Sequence, residues 1–173
     1  RISNLKKNKT FFFKKIDLED TKSLSDLFKK KKIKIVFHLG AQAGVRDSLR
    51  MPKSYFKSNF KGFINIINLS KINNVKKFIF ASSSSVYGDQ KKFPLREDYE
   101  FRIKSTYALS KITSEFYVRS YSKKFNLNCN IVRFFNVYGE DQKKYFVIPK
   151  FIDLLSKSKN LLVYGKGNQV RAF

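Results

Sequence analysis

The chain has 173 residues, with 37 Lys and Arg against 13 Asp and Glu, one Cys, no Trp and 42% hydrophobic residues, among them 19 Phe. This is enough apolar material for the core of one domain or of part of a larger one. The longest apolar runs are interrupted, as by Lys34 and His38, and fall short of the roughly 20 residues a membrane-spanning helix needs; a lone Cys129 excludes an internal disulfide and a Cys-based zinc site.

In chain order, strand-length apolar runs alternate with longer amphipathic stretches. The runs are 10–16, 33–39, 77–82, 130–135 and 161–164, and the helical stretches between them are 20–30, 52–71, 106–125 and 148–158. Apolar residues recur at helical spacing within these, for example Phe63, Ile66 and Ile67, then Leu109, Ile112 and Phe116. The alternation predicts a parallel sheet flanked by helices. Nearly continuous hydrophobic runs favour strands buried on both faces, as in a doubly wound sheet.

Such a sheet normally opens with a strand and a Gly-rich turn that receives a pyrophosphate. No G-x-x-G-x-x-G occurs here, and the sequence stops just after the Gly165-Lys166-Gly167 turn, in what reads as the start of another element. The expectation is an internal piece of a longer protein. The N-terminal RISNLKKNKT leads into a Phe-rich segment rather than an h-region with a cleavage site, so no secretory signal is evident. A reducing, cytoplasmic setting fits the single Cys best.

The formal charge of +24 rests on 29 Lys and 8 Arg spread from Arg1 to Arg171. Bidentate recognition of phosphates and bases leans on Arg, so this Lys-rich excess reads as a solvated surface, with no nucleic-acid or membrane partner expected. A basic nucleic-acid-binding module is the rival from another class; it predicts affinity falling steeply with salt.

Tyr107-Ala108-Leu109-Ser110-Lys111 places a phenol and an ammonium four apart on one helix face. A cation there favours the phenolate and lowers its pKa, as a general base for an alcohol requires. In isolation the pattern equally describes a solvated surface pair. Upstream, the apolar Phe78 to Ala81 runs into Ser82-Ser83-Ser84-Ser85-Val86-Tyr87-Gly88, which puts hydroxyls at the carboxyl end of a strand, where open α/β sheets bind ligands. Ser83 precedes Tyr107 by 24 residues, a separation suited to a Ser/Tyr/Lys group on adjacent elements.

HLGAQAGVRDS (38–48), SNFKGFINII within 52–68, FIFASSSSVYGD (78–89), YALSK (107–111), RFFNVYG (133–139) and YGKGNQVRAF (164–173) follow one another in a family order. With these motifs the chain resembles an extended short-chain dehydrogenase/reductase of the nucleotide-sugar epimerase and dehydratase family, and the AQAGVRDSL string resembles UDP-glucuronate 4-epimerases. The resemblance implies a partial Rossmann-type doubly wound parallel sheet lacking its first strand and Gly-rich turn, spanning 1–140, with the start of a nucleotide-sugar-binding region in 141–173. It implies NAD as cofactor, a nucleotide-sugar substrate and a homodimer paired through 52–71 and 106–125.

Residue by residue, the resemblance makes Tyr107 the base, Lys111 its electrostatic partner and a ribose contact, and Ser83 the hydroxyl on the reacting sugar oxygen. Leu39, Gly40, Ala41 and Ser82 would line the cofactor, Asp17 and Leu18 would sit at the adenine, and Phe134 near the nicotinamide. Asn136 and Arg171 would hold the diphosphate, for which an Arg fork is suited. Asp17 reads equally as a helix-capping acid, Leu39 equally as a core residue, and His38 as a satisfied strand-end residue.

Family dehydratases place Asp-Glu, and decarboxylases Glu, directly before the VYG; Ser84 and Ser85, also substrate-binding candidates, stand there instead. A 4-epimerase needs no acid at that point, so the serines favour epimerisation of a UDP-glucuronate or UDP-glucose/galactose type of substrate. Against the glucuronate form, EDQKKYFV (140–147) replaces the Gly-Arg-Pro-Asp run of those epimerases, leaving Arg46 as the candidate for a substrate carboxylate, and Ala172 replaces an acid after Arg171. A decarboxylase or dehydratase of the same family, and a truncated inactive fragment, are the alternatives.

Overall fold

The computed structural model describes residues 2–142, 144, 146–163 and 165–168, with Arg46 described by its backbone alone. Two compact units result, one of residues 14–134 and one combining the N-terminal residues to Phe13 with those from Phe135 onward. In the second unit, α1 (Ile2–Leu5) is a single turn and α7 (Val147–Ser156) is an amphipathic helix. Asp153 of α7 pairs with Lys157 and Lys144, and these hydrogen bonds hold its carboxyl below the usual range.

The larger unit is built on three parallel strands in the order β1 (Ile35–His38), β2 (Lys77–Ser83), β3 (Cys129–Phe134). Register sets His38 beside Phe80 and Ser83 beside Phe134, so all three strands point their carboxyl ends to one edge. The crossovers are helical. After α2 (Thr21–Lys31) and β1 come α3 (Val45–Arg50), α4 (Pro52–Tyr55), a π-helical turn (Phe56–Lys61) and α5 (Gly62–Ile72). Ser84–Tyr87 forms a 3-10 turn at the end of β2, and α6 (Thr106–Phe125) leads back into β3.

One sheet face is closed by these helices. Leu24 and Phe28 of α2, Phe63, Ile66 and Ile67 of α5 and Val118 of α6 pack on Phe78 and Phe80, with Val36 and Ile131 against them. His38 lies in this layer, stacked on Phe78 and Phe80, and burial drives its pKa down to about 4, helped by the Lys111 charge. It is thus a neutral strand-end residue at ordinary pH. The alternate residues Ile35, Phe37, Val132 and Phe134 are exposed.

The runs 10–16 and 161–164 form no strand among the described residues. A strand needs a neighbour to take its backbone hydrogen bonds, and the sheet of described residues comprises β1, β2 and β3 alone. The stretch 52–71 is helical but not uniform, because the π turn inserts a wider loop of backbone between α4 and α5.

Gly88 closes the 3-10 turn with φ +57 and ψ −144, and a Cβ there would stand 2.1 Å from the Arg102 carbonyl oxygen. Both the dihedral and the close approach demand glycine. Gly88→Ala is therefore expected to lower stability by roughly 2–5 kcal/mol, read by urea unfolding of the full-length protein; a loss below about 0.5 kcal/mol would show that the turn relaxes freely.

Candidate functional site

The carboxyl edge of the sheet gathers most of the candidate residues. Ser83 ends β2 beside Phe134, and its hydroxyl accepts from Ser85 N–H at 3.2 Å to cap the 3-10 turn. Ser84 and Ser85 form the first turn of that element, and the Ser85 Oγ is enclosed with no hydrogen-bond partner among the described residues. Leu39, Gly40 and Ala41 follow β1 at the same edge, with Leu39 64% exposed. The Leu18 side chain packs against Gly40 and Gly62, while its carbonyl accepts from Asn65 Nδ2 at 2.8 Å. Asp17, exposed beside it, caps a local turn by accepting from Glu19 N–H at 2.9 Å.

The loop after β1 is held by residues with no individual role in the sequence analysis. Asn59, inside the π turn and buried, accepts from Gln42 N–H at 2.7 Å and donates to Gln42 O at 2.9 Å. Tyr55 Oη lies 3.0 and 2.9 Å from the Ala43 and Gly44 carbonyls, and its ring meets Tyr107 edge-on. The only sequence signal for this clamp is a polar Asn amid apolar helical positions.

Helix α6 supplies the remaining groups. Its free N-terminal amides, which any helix must satisfy, are taken by Ser105 Oγ (from Ala108 N–H, 3.0 Å) and by the fully buried Ser48 of α3 (from Tyr107 N–H, 3.2 Å). Tyr107 is thereby fixed at the helix start, near enough to Ser83 for that hydroxyl to favour its phenolate. Four residues on, Lys111 is 5% exposed; its ammonium donates to the Ala81 carbonyl at 2.7 Å and lies over the Phe80 and Tyr107 rings. Another four on, Glu115 accepts from Ser82 Oγ at 2.5 Å and from Arg133 Nε and Nη2 at 3.0 and 2.8 Å.

Ser82 is therefore turned to α6 and occupied there. Ser83, Tyr107 and Lys111 are brought together, with Ser84, Ser85 and Phe134 adjoining and the segments 17–18 and 39–41 close to one another. Asn136 belongs to the other unit, the Arg46 side chain is not described, and Arg171 lies outside the described residues. Among the described residues there is no group of His, Cys, Asp and Glu able to hold a metal ion, and no helix long and apolar enough to cross a membrane.

The electrostatics differ from the sequence expectation at one point. Tyr107 has its pKa raised, because burial disfavours the phenolate; the opposing influence is the Ser83 hydrogen bond, not Lys111. Lys111 spends its proton on a backbone carbonyl, and burial pushes it down to about 8. Ser83, Tyr107 and Lys111 thus make a shielded group of two hydroxyls and one weakened ammonium, able to pass a proton to or from an oxygen lying between Ser83 and Tyr107.

A parallel sheet with a Ser/Tyr/Lys group at its carboxyl edge defines a Rossmann-type α/β protein. The whole chain, residues 1–173, matches the NAD dependent epimerase/dehydratase family, to which it belongs. It is 36% identical over 174 residues to a UDP-glucuronate 4-epimerase of Thermodesulfobacterium geofontis, covering 100% of this chain and 54% of that one. Among solved structures it resembles a UDP-glucose 4-epimerase with UDP-glucose from Thermotoga maritima, at a TM-score of 0.92 and 31% identity over 99% of this chain and 56% of that one. It also resembles a UDP-glucuronic acid 4-epimerase from Bacillus cereus in complex with UDP-glucuronic acid and NAD, at a TM-score of 0.88 and 32% identity over 98% and 53%. The chain spans about half the length of the curated relatives it matches.

The Lys111 pKa has a thermodynamic consequence. Between about 8 and 10.5 the unfolded chain holds a proton on Lys111 that the folded chain has released, so this residue's contribution to stability rises with pH across that window. Comparing Lys111→Met with wild type cancels the other groups. The stability difference is expected to move in favour of wild type as pH is raised from 8 to 10; a difference flat in pH would contradict the buried ammonium.

Proposed function

We propose that the full-length protein is an NAD-dependent 4-epimerase acting on a UDP-sugar of the glucuronate or glucose/galactose type through a transient 4-keto intermediate. The observation that carries this is the Ser83, Tyr107 and Lys111 group at the strand ends, flanked by Ser84 and Ser85 rather than by an acid. In this reading Tyr107 takes the proton of the sugar 4-hydroxyl, Ser83 hydrogen-bonds the same oxygen and favours the deprotonated phenol, and Lys111 stands one helical turn away on the same face. Dehydration or decarboxylation calls for an acid beside the reacting sugar, and two hydroxyls stand at that place.

The residues present suit the cofactor. Exposed Leu39 and Phe134 offer apolar surface at the sheet edge, Gly40 leaves backbone accessible beside them, Lys111 is in reach as a ribose-hydroxyl donor, and Asp17 presents a free carboxylate oxygen near Leu18. Leu18 and Ala41 complete this lining in our reading, with Ser82 acting from behind through Glu115. NAD, when bound, would supply a reversible hydride acceptor for C4 of the sugar. Arg46, Ser84, Ser85, Asn136 and Arg171 are proposed to hold the nucleotide sugar, and a cytoplasmic location accords with such a substrate.

Tyr107→Phe keeps the ring and removes the acceptor oxygen. The expected result is a loss of roughly 10²–10⁴ in turnover with bound NAD retained, measured with UDP-glucuronate and UDP-glucose; near wild-type turnover would sink the assignment.

We further propose that the protein is a homodimer. Phe56, Leu109, Phe116 and Tyr117 are exposed on α6 and the helical segment 52–72, and Phe56, Phe60 and Tyr117 form a continuous run of ring contacts there. Such an apolar ridge spanning two helices suits a helix-to-helix interface between copies. Phe116→Glu is expected to convert a dimer to monomer in sedimentation at micromolar concentration, and wild type sedimenting only as monomer would remove the idea.

A further inference from the structure

Tyr107, Lys111 and Glu115 recur every four residues along α6, which sets them on one helical stripe. Two of them bind consecutive residues of β2, Lys111 the Ala81 carbonyl and Glu115 the Ser82 hydroxyl, and Tyr107 stands near enough to the next, Ser83, for that hydroxyl to favour its phenolate. Glu115 is then gripped from β3 by the two-pronged Arg133 guanidinium, whose other arm donates to Tyr87 Oη and to Glu97 O, both at 3.0 Å. The guanidinium also lies over the Tyr87 and Phe101 rings. The side chains of Arg133 and Glu115 are 7% and 1% exposed.

A buried ion pair is weak evidence for stability, because desolvation consumes much of its attraction and apolar residues of the same size often serve as well. What a bidentate pair supplies is geometry: two parallel hydrogen bonds fix direction as well as distance. Here that geometry ties α6 to both neighbouring strands one turn beyond Lys111. A helix held only by apolar packing can slide or rotate by fractions of an ångström, and displacements of about 1 Å at reacting groups cost roughly 10²-fold in rate.

We infer that Glu115 and Arg133 are positioning residues, locking the height and rotation of α6 on the sheet so that Tyr107 meets Ser83 and Lys111 meets Ala81. The inference rests on the proposed epimerase reading for its kinetic test. Glu115 and Arg133 hydrogen-bond Ser82, Tyr87, Glu97 and one another, so in this inference they act through α6.

The test uses the full-length protein carrying Glu115→Leu together with Arg133→Met, which removes both charges at similar volume. The expected result is a folded protein that keeps its NAD, with kcat for UDP-sugar epimerisation down roughly 10- to 100-fold, KM nearly unchanged, and the acid limb of the pH profile displaced. A folded double variant with wild-type kcat and pH profile would overturn the inference and leave the pair a packing element. Should the double variant fail to fold, Ser82→Ala, which removes only the hydroxyl on Glu115, is expected to lower kcat about 3- to 10-fold without loss of NAD, and unchanged kcat would overturn it. If wild type epimerises no UDP-sugar, the functional reading fails separately. The positioning is then read from the Lys111 ammonium titration by NMR, expected near 8 in wild type and displaced in whichever variant folds; an unchanged value overturns it.

Discussion

The attachment of one helix to one strand end governs the rest of the candidate site. Two successive β2 residues, Ala81 and Ser82, hydrogen-bond Lys111 and Glu115, which lie one helical turn apart on α6. Arg133 of β3 grips the same Glu115 with two hydrogen bonds, so α6 is held by both strands at once. This ties α6 in height and rotation together. The capping of its first turn by Ser48 and Ser105 then fixes the end from which Tyr107 projects.

Charge serves two separate purposes in this chain. The exposed pairs, such as Lys61 with Glu19 at 3.2 Å, contribute little, since solvent screens them and long side chains resist ordering. Most lysines serve solubility. The buried charges are few and specific: Lys111 against a carbonyl, and Glu115 against Arg133. Lys111 lies next to the neutral His38, whose protonation burial and that same ammonium oppose. The core beneath the site therefore holds a histidine without holding a second positive charge.

Much of this was legible in the sequence, and the failures share a cause. The runs 33–39, 77–82 and 130–135 became strands because each is apolar over a length suited to a buried parallel strand and has neighbours to pair with. The run 10–16 is also apolar but has no partner strand among the described residues, which no local pattern can reveal. Tyr107, Lys111 and Ser83 were legible from spacing, because i,i+4 on a helix and the end of an apolar strand are both local facts. Glu115 and Arg133 were not. A Glu in a polar helix and an Arg in a half-exposed strand look solvated until the register places Arg133 beside Ser82. The Tyr107 pKa failed likewise, since a cation one turn away lowers a phenol only if it is not engaged elsewhere, and Lys111 is turned to Ala81.

The π-helical turn Phe56–Lys61 makes the helical segment 52–72 two instruments rather than one. Beyond it, Phe63, Ile66 and Ile67 face the core; within it and before it, Asn59 and Tyr55 hold the loop after β1. One extra residue per turn advances the angular phase of the chain by about 100°. The loop-gripping face can thus be set independently of the core face on the same continuous helix. A single-residue deletion that regularised the turn would leave every side chain chemically intact yet rotate Asn59 and Tyr55 away from Gln42, Ala43 and Gly44. Variation in length at this point would change how the loop is presented while leaving the hydrophobic core unaltered, whereas substitution elsewhere along the helix would trade one against the other.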